Sequence, residues 1–229
     1  MNDPPEIHVI VPVRNDDREL SALLPDLLNK GWRPQEIRVV DACGDSRDTA
    51  NTYGVKHLVA DASTQGRARQ MNLGAAGSTA DAFLFLHADT RLPPSAKQDI
   101  RNALERGAVG GAFARRFDSP SLFLKFSCRA ADLRGRLLGW FFGDQAIFAR
   151  ADAFRRLDGF PDLPLFEDLE FSRRLKRTGP TTLLRPPVLG SARRFDAEGP
   201  LRRTWNDLKL TLCYLRGHLP SKPIQNPEP

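Results

Sequence analysis

The 229-residue chain holds only three cysteines, two methionines and two tyrosines. Cys43, Cys128 and Cys213 are far apart and odd in number, with no metal-ligand or redox spacing among them. That pattern leaves no disulfide framework and predicts a reduced, cytoplasmic protein with free thiols. No apolar run reaches the roughly 18 residues needed to cross a bilayer. The start, Met1-Asn2-Asp3-Pro4-Pro5, is polar and lacks the apolar core of a signal peptide. Internal repeats are absent, and so are a glycine-rich dinucleotide fingerprint and a phosphate-binding P-loop. The net charge is +6 and the pI about 9.6. Yet no zinc pattern or aromatic-interleaved basic strand accompanies the basic excess, so nucleic acid is not an expected partner. Most of the arginines read as solvated helix faces, Arg155, Arg156, Arg173 and Arg177 among them.

What is present is an alternation. Ile7 to Val13, Ile37 to Val40, Val55 to Val59 and Ala82 to Leu86 read as strands. Helical stretches fall between and after them at Leu20 to Leu28, from Asp48, at Gly66 to Ala76 and at Ser95 to Glu105. Alternation of this kind predicts a mostly parallel sheet with helices on its faces. The polar residues gather at the carboxyl ends of the strands, as Arg14-Asn15-Asp16, Asp41, Asp61 and His87-Ala88-Asp89, which is how a nucleotide-binding half is built. The second half predicts strands at Val109 to Phe117 and Gln145 to Ala149, with edge strands at Thr182 to Leu184 and Val188 to Arg194. It also predicts helices at Leu122 to Trp140, Asp152 to Leu157, Leu165 to Arg177 and Leu201 to Leu215. The length and composition suit a single α/β domain over residues 1–219. Residues 1–90 form the nucleotide-binding half and 91–219 the acceptor-side half, and the Pro-rich tail at 220–229 is expected to be disordered.

Two constellations carry chemistry. The run Ala82-Phe83-Leu84-Phe85-Leu86 reads as a strand buried on both faces, hence central and parallel. It delivers His87 and Asp89, two positions apart and so on one side of an extended chain. Asp89 can hold a divalent cation through hard oxygen ligands. Alone, it better suits a residue that merely caps the turn before Pro93-Pro94, because Asp is a common turn residue. The second constellation is Phe166-Glu167-Asp168-Leu169-Glu170-Phe171. Acids at a helix start complement the macrodipole, which accounts for Glu170. The pair Glu167-Asp168 follows Asp158-Gly159-Phe160-Pro161, and a carboxylate held at a cleft mouth by a rigid loop is a candidate general base.

In order along the chain stand Val9-Ile10-Val11-Pro12-Val13-Arg14-Asn15, Val39-Val40-Asp41, Gly66 through Gly74, Leu84-Phe85-Leu86-His87-Ala88-Asp89-Thr90, Gly143-Asp144-Gln145-Ala146-Ile147-Phe148, Gly159-Phe160-Pro161 and Glu167-Asp168. This series resembles the family 2 glycosyltransferases of GT-A fold. Within that family it is most similar to the short bacterial branch associated with radical-enzyme gene partners. The resemblance implies an α/β fold with a Rossmann-like, mostly parallel central sheet and a smaller acceptor-side half. It implies inverting transfer of a sugar from a nucleotide-diphosphate sugar, a UDP-sugar by type, to an acceptor hydroxyl. Asp41 would meet the base, with the backbone of Pro12 and Val13 lining the same pocket, and Arg14, Gly66, His87 and Ala88 would also belong to the nucleotide site, His87 at the ribose or without a chemical role. Arg67 and Arg69 would face the diphosphate. Asp89 would hold Mn²⁺ or Mg²⁺, the metal acting as a Lewis acid on the departing nucleotide. Asp168 would be the base and Glu167 its neighbour that orients the acceptor. Trp140, Gly143, Asp144 and Gln145 would lie on the acceptor side.

The chain departs from the family at three places: His87 stands where many members have Asp, the loop after Asp41 is longer and more charged, and Arg202-Arg203-Thr204-Trp205 matches the processive-synthase signature only loosely. Two other readings stay open. A nucleotidyltransferase acting on a sugar phosphate would share the sheet, the metal and the basic pocket. A GT-A-like binding protein without activity would share the fold. The acceptor is unspecified and a lipid-linked one is compatible. Leu122 to Trp140 and Leu201 to Leu215 mix apolar residues with arginine, which suits either peripheral contact with the inner face of a membrane or packing on the sheet with Arg stems snorkelling outward.

Overall fold

The computed structural model describes residues 3–61, 63–191 and 200–217. The first half forms the strands β1 (Ile7–Val13), β2 (Ile37–Asp41), β3 (Lys56–Val59), β4 (Ala82–Phe85) and β5 (Thr90–Arg91). The second half adds β6 (Gly110–Phe117), β7 (Phe148–Arg150) and β8 (Thr181–Gly190). Among the described residues they make one eight-stranded sheet in the order β3-β2-β1-β4-β7-β6-β8-β5. The pairs β1–β2, β1–β4 and β2–β3 are parallel, whereas β7 joins β4 and β6 antiparallel. Helices α1 (Asp17–Asn29), α2 (Arg47–Thr52), α3 (Arg67–Ala75), α4 (Ala96–Glu105), α5 (Leu122–Leu138), α6 (Ala151–Arg156), α7 (Glu167–Thr178) and α8 (Pro200–Leu215) complete the chain.

Strand periodicity divides the core into two layers. Ile7, Val9, Val11 and Val13 of β1, with Ala82 and Leu84 of β4, face a layer that includes Leu20, Leu23, Leu24 and Leu27 of α1 and Ile100 and Leu104 of α4. Ile10, Phe83 and Phe85 face the other layer, with Met71 of α3, Phe154 of α6 and Phe171 and Leu175 of α7. Both faces of β4 are thus buried, as its unbroken apolar run predicts, although the strand is parallel to its neighbour on one side only. The second layer has an aromatic centre. Phe160 and Phe171 have ring centroids 4.4 Å apart, and Phe85 stands edge-on to Phe160 at 4.7 Å. Such pairs add roughly 0.5–1.5 kcal/mol beyond the area they bury. They tie the end of β4 to the loop after α6 and to α7, so the two constellations in the sequence share one rigid support.

Several expectations are corrected. Gly143–Gln145 is a 3-10 turn, and the strand predicted from Gln145 begins only at Phe148. The two edge strands predicted around Pro186-Pro187 are one continuous β8. It lies inside the sheet, because β6 pairs with it on one side and the unpredicted β5 on the other. Two residues as short as Thr90-Arg91 carry no periodicity, so nothing local could have shown β5. Residues 192–194 of the predicted edge strand and the tail at 220–229 lie outside the described residues.

Candidate active site

Parallel strands that diverge at a switch point leave a crevice at their carboxyl ends. Here β1 lies between β2 and β4, so the crevice opens beside the ends of these three strands. Val13 and Arg14 end β1, Asp41 ends β2, and His87, Ala88 and Asp89 follow β4. Pro12 is half-buried, Val13 buried and Arg14 exposed.

Asp41 is completely buried. Its oxygens accept from the backbone N–H of Cys43 at 2.9 Å and of Ser46 at 2.8 Å, and the His57 ring lies 3.2 Å away. Burial opposes its charge, but the N–H groups of Ser46, Cys43 and Gly44 and the His57 ring hold the carboxyl below its usual range. Asp41 therefore folds the 42–46 loop around its own carboxylate at the end of β2. Gln70 of α3 adds a clamp that sequence reading passed over: its Nε2 donates to the carbonyls of Val13 and Val40, each at 2.9 Å. A buried polar residue on an otherwise small, apolar helix face is the signal that could have revealed it. Gly66, at φ 112°, starts the same helix in a conformation open chiefly to glycine.

After β4 the chain does not stay extended. The Thr90 N–H reaches the His87 carbonyl at 3.1 Å, closing a turn over Ala88 and Asp89. The rule that residues two apart face alike applies to an extended chain, and this segment is a turn. Ala88 is buried, with its carbonyl accepting from Arg91 at 2.9 Å. His87 turns towards Gly143: a Cβ placed on that glycine would lie 2.8 Å from His87 Nε2 and 3.3 Å from Asp168 Oδ2. A larger residue at 143 would have to displace the His87 ring and crowd the Asp168 carboxylate. The Gly143 N–H donates to Asp168 Oδ2 at 2.6 Å.

The acidic pair sits at the start of α7, behind Phe166 in the left-handed region at φ 66°, a strained backbone for a large side chain. Glu167 is buried, with its Oε1 3.8 Å from Arg67. Burial and the neighbouring Glu167 charge push the Asp168 carboxyl up to about 7, against the opposing pull of the Gly143 N–H and Arg67. A carboxyl of that kind can hold or release a proton near neutrality. Ser172, one turn on, accepts from the Phe141 N–H at 3.0 Å and so fixes the segment leading to Gly143.

Other expected residues have structural duties. Gln145 is fully buried, donates to the Phe113 carbonyl at 3.2 Å and accepts from Arg134 at 3.1 Å and from the Phe142 N–H at 3.2 Å. Its amide thus braces the segment around Gly143. Asp144 pairs with Arg115. The Trp140 ring lies under Arg173, with the guanidinium carbon 5.6 Å from its centroid. Arg69 forms a two-pronged pair with Asp162, its Nε donating at 2.8 Å. Asn72 donates to the Phe160 carbonyl at 2.8 Å and accepts from the Phe160 N–H at 2.9 Å. The Gly66–Gly74 and Gly159–Pro161 segments are thus joined in space. A cavity of about 580 Å³ lies beside them, lined by residues of α3, α6 and the Gly159–Pro161 turn, and none of Asp41, Asp89 or Asp168 lines it.

Among the described residues no three acidic, histidine or cysteine side chains cluster as a metal cage. Asp89 is half-buried, and its one described side-chain bond is a long 3.4 Å contact from Thr90 Oγ1. That donor set fits an Mg²⁺-type ion, which commonly takes one or two carboxylates and completes its shell with phosphate oxygens and water.

Fold and site together define a GT-A-like α/β protein with a crevice at its strand ends. Residues 8–156 match the family described as "Glycosyl transferase family 2", and the chain belongs to that family. Among solved structures, S. aureus TarS 1–349 is similar at 15% identity and a TM-score of 0.65, over 82% of this chain and 60% of that one. The same protein in complex with UDP-GlcNAc is similar at 16% identity and a TM-score of 0.62, over 81% and 58%. The mannosyltransferase PcManGT from Pyrobaculum calidifontis, in complex with GDP-Man and Mn²⁺, is similar at 18% identity and 0.60, over 82% and 56%. At these identities the likeness is one of fold. The chain spans about 60% of the length of the TarS structure it matches. Curated protein sequences gave no match. No described helix is long and apolar enough to cross a membrane.

Proposed function

We propose that the protein transfers a sugar from a nucleotide-diphosphate sugar, with a UDP-sugar as the working donor, to an acceptor hydroxyl with inversion at the anomeric carbon. The observation that carries this reading is the Asp168 carboxyl, raised to about 7 and held by the Gly143 N–H. Asp168 takes the proton of the acceptor hydroxyl. The acceptor oxygen forms a bond to the anomeric carbon from the face opposite the diphosphate. The bond to the diphosphate oxygen breaks, and the nucleoside diphosphate leaves with that electron pair. Glu167, paired at long range with Arg67, keeps the acceptor side negative and raises the proton affinity of Asp168.

On the donor side, the loop folded by Asp41 covers the base, and Asp41 acts through that loop because its own oxygens are occupied. Asp89 would hold Mn²⁺ or Mg²⁺ against the diphosphate; when bound, the ion offsets the charge on the leaving group. Arg67, half-exposed, is better placed for phosphate than Arg69, whose fork Asp162 occupies. UDP or a UDP-sugar with Mn²⁺ should raise the melting temperature, and Asp89→Ala should abolish the shift. A flat response across a panel of nucleotides and nucleotide sugars would overturn the reading. Pyrophosphate release from a nucleoside triphosphate and a sugar phosphate would replace it with nucleotidyl transfer. Donor hydrolysis no faster than background would leave a binding protein.

A further inference from the structure

Helix α5 is amphipathic twice over. Leu124, Cys128, Ala131, Asp132 and Gly135 form its buried stripe, against β6 and β8. Directly opposite, at helical spacing, stand Leu122, Phe126, Leu133 and Leu137, which are 79%, 68%, 58% and 70% exposed. A soluble surface normally scatters such residues singly. Here four share one stripe. Beside it runs a second stripe of exposed cations, Lys125, Arg129 and Arg136. The helix has one acid, Asp132, and it is buried and held by Arg116 at 3.0 Å and Arg185 at 2.8 Å. Among the described residues no carboxylate pairs with Arg129 or Arg136.

The two stripes meet at a depression of about 200 Å³ lined by Arg129, Asp132, Leu133, Arg136 and Arg185. Three guanidiniums face one carboxylate there, so the depression keeps a positive balance and offers planar forks suited to phosphate oxygens. An apolar stripe flanked by cations, with an anion-accepting depression on the border between them, matches the layered chemistry of a lipid surface: acyl chains below, phosphates above. A protein partner or a second copy would need to bring acids to the cationic stripe and apolar groups to the other. Nucleic acid would leave Leu122, Phe126 and Leu137 in water.

We propose that the outer face of α5 is a docking surface for an anionic phospholipid bilayer, with a lipid phosphate seated among Arg129, Arg136 and Arg185 and with Phe126 and Leu133 in the acyl boundary. The helix lies in the plane of the interface and does not cross it. The proposal goes beyond the transfer reaction and does not depend on it. Its consequence for any acceptor is positional, because α5 runs through Gly139 into the segment whose Gly143 holds Asp168.

The test is flotation of the full chain with vesicles of phosphatidylcholine alone or mixed with phosphatidylglycerol. Binding should occur with the anionic vesicles and fall at least tenfold on neutral ones. Arg129→Glu combined with Arg136→Glu should lower binding at least tenfold, and Phe126→Ser combined with Leu133→Ser should do the same, with melting temperatures near that of the parent. If either pair fails to fold, the single changes Arg129→Gln and Leu133→Ser carry the test, each with a smaller loss. Equal recovery with neutral vesicles, or binding indifferent to both stripes, overturns the proposal. So does a dimer seen by sedimentation velocity that the Phe126→Ser pair dissolves while vesicles bind nothing, or displacement from anionic vesicles by a short RNA at stoichiometric concentration.

Discussion

The two sides of the crevice are built differently. On one side, Val13, Asp41 and Asp89 each stand at or just past the end of a strand, and the three strands are adjacent and parallel. On the other side, Gly143, Phe166, Glu167 and Asp168 come from loops and a helix start, held by Ser172, by Gly143 and by an aromatic cluster. The strand-end side is positioned chiefly by backbone pairing, with Asp41 and Gln70 as its side-chain clamps. The other side is positioned by side-chain packing and single hydrogen bonds, so it should be the more sensitive to substitution.

The comparison breaks first at Asp168. Asp168→Asn should lower transfer by roughly 10³-fold, the middle of the usual range for a general base, with donor-induced thermal shift retained. In the parent, kcat/KM should rise with pH through about 7 and then level. Retained transfer, or a flat profile between acid and alkaline pH, would remove the base from this side of the crevice. Next comes the shared support. Phe171→Ala should cost about 3–5 kcal/mol in chemical denaturation, because the ring is fully buried against Phe85, Phe154 and Phe160. A loss under 1 kcal/mol would mean that the two sides are not braced through these rings.

A subtler effect concerns stability against pH. The Asp168 carboxyl is raised from 3.8 to about 7, so the folded protein binds that proton more tightly than the unfolded chain. The stability this group contributes is full below about pH 4 and is lost as pH rises through 7. Asp168→Asn should therefore stabilise the protein at pH 8 by on the order of 2 kcal/mol, after allowing for partial exposure, and the gain should vanish near pH 4. Denaturation midpoints of the two proteins at both pH values decide it. The smallest effect concerns Arg69: Asp162→Ala removes an exposed ion pair, screened by solvent, and should leave the denaturation midpoint close to that of the parent. If Arg69 serves only that pair, Arg69→Ala should leave UDP-sugar affinity as it is in Asp162→Ala. A selective loss of affinity in Arg69→Ala would return Arg69 to the diphosphate.

The legible parts share a cause. A strand buried on both faces must be apolar throughout, so Ala82–Phe85 announced itself, and a polar residue ending such a strand marks the crevice. The amphipathic spacing of α1 and α7 was equally readable. Thr90-Arg91 was not, because two residues have no period. Nor was the single strand through Pro186-Pro187, since prolines signal interruption whether or not the neighbouring strands carry the pairing across. The duty of Gln145 was hidden too: a glutamine beside Gly143 and Asp144 looks like a ligand-facing residue until its amide is found spent on Phe113, Arg134 and Phe142.

By itself the sequence determined the alternation of strand and helix, the ordered motifs, the acid pair at a helix start and the basic balance, because hydrophobic periodicity and local polarity are properties of neighbours along the chain. Which charged side chains are spent on partners distant in sequence emerged from the folding of the chain alone. Asp41 is closed in by its own loop, Arg69 is taken by a partner 93 positions away, and Asp168 acquires its proton affinity from burial beside Glu167. Those outcomes depend on distances between residues far apart in sequence, and a carboxylate's pKa is set by what surrounds it in space.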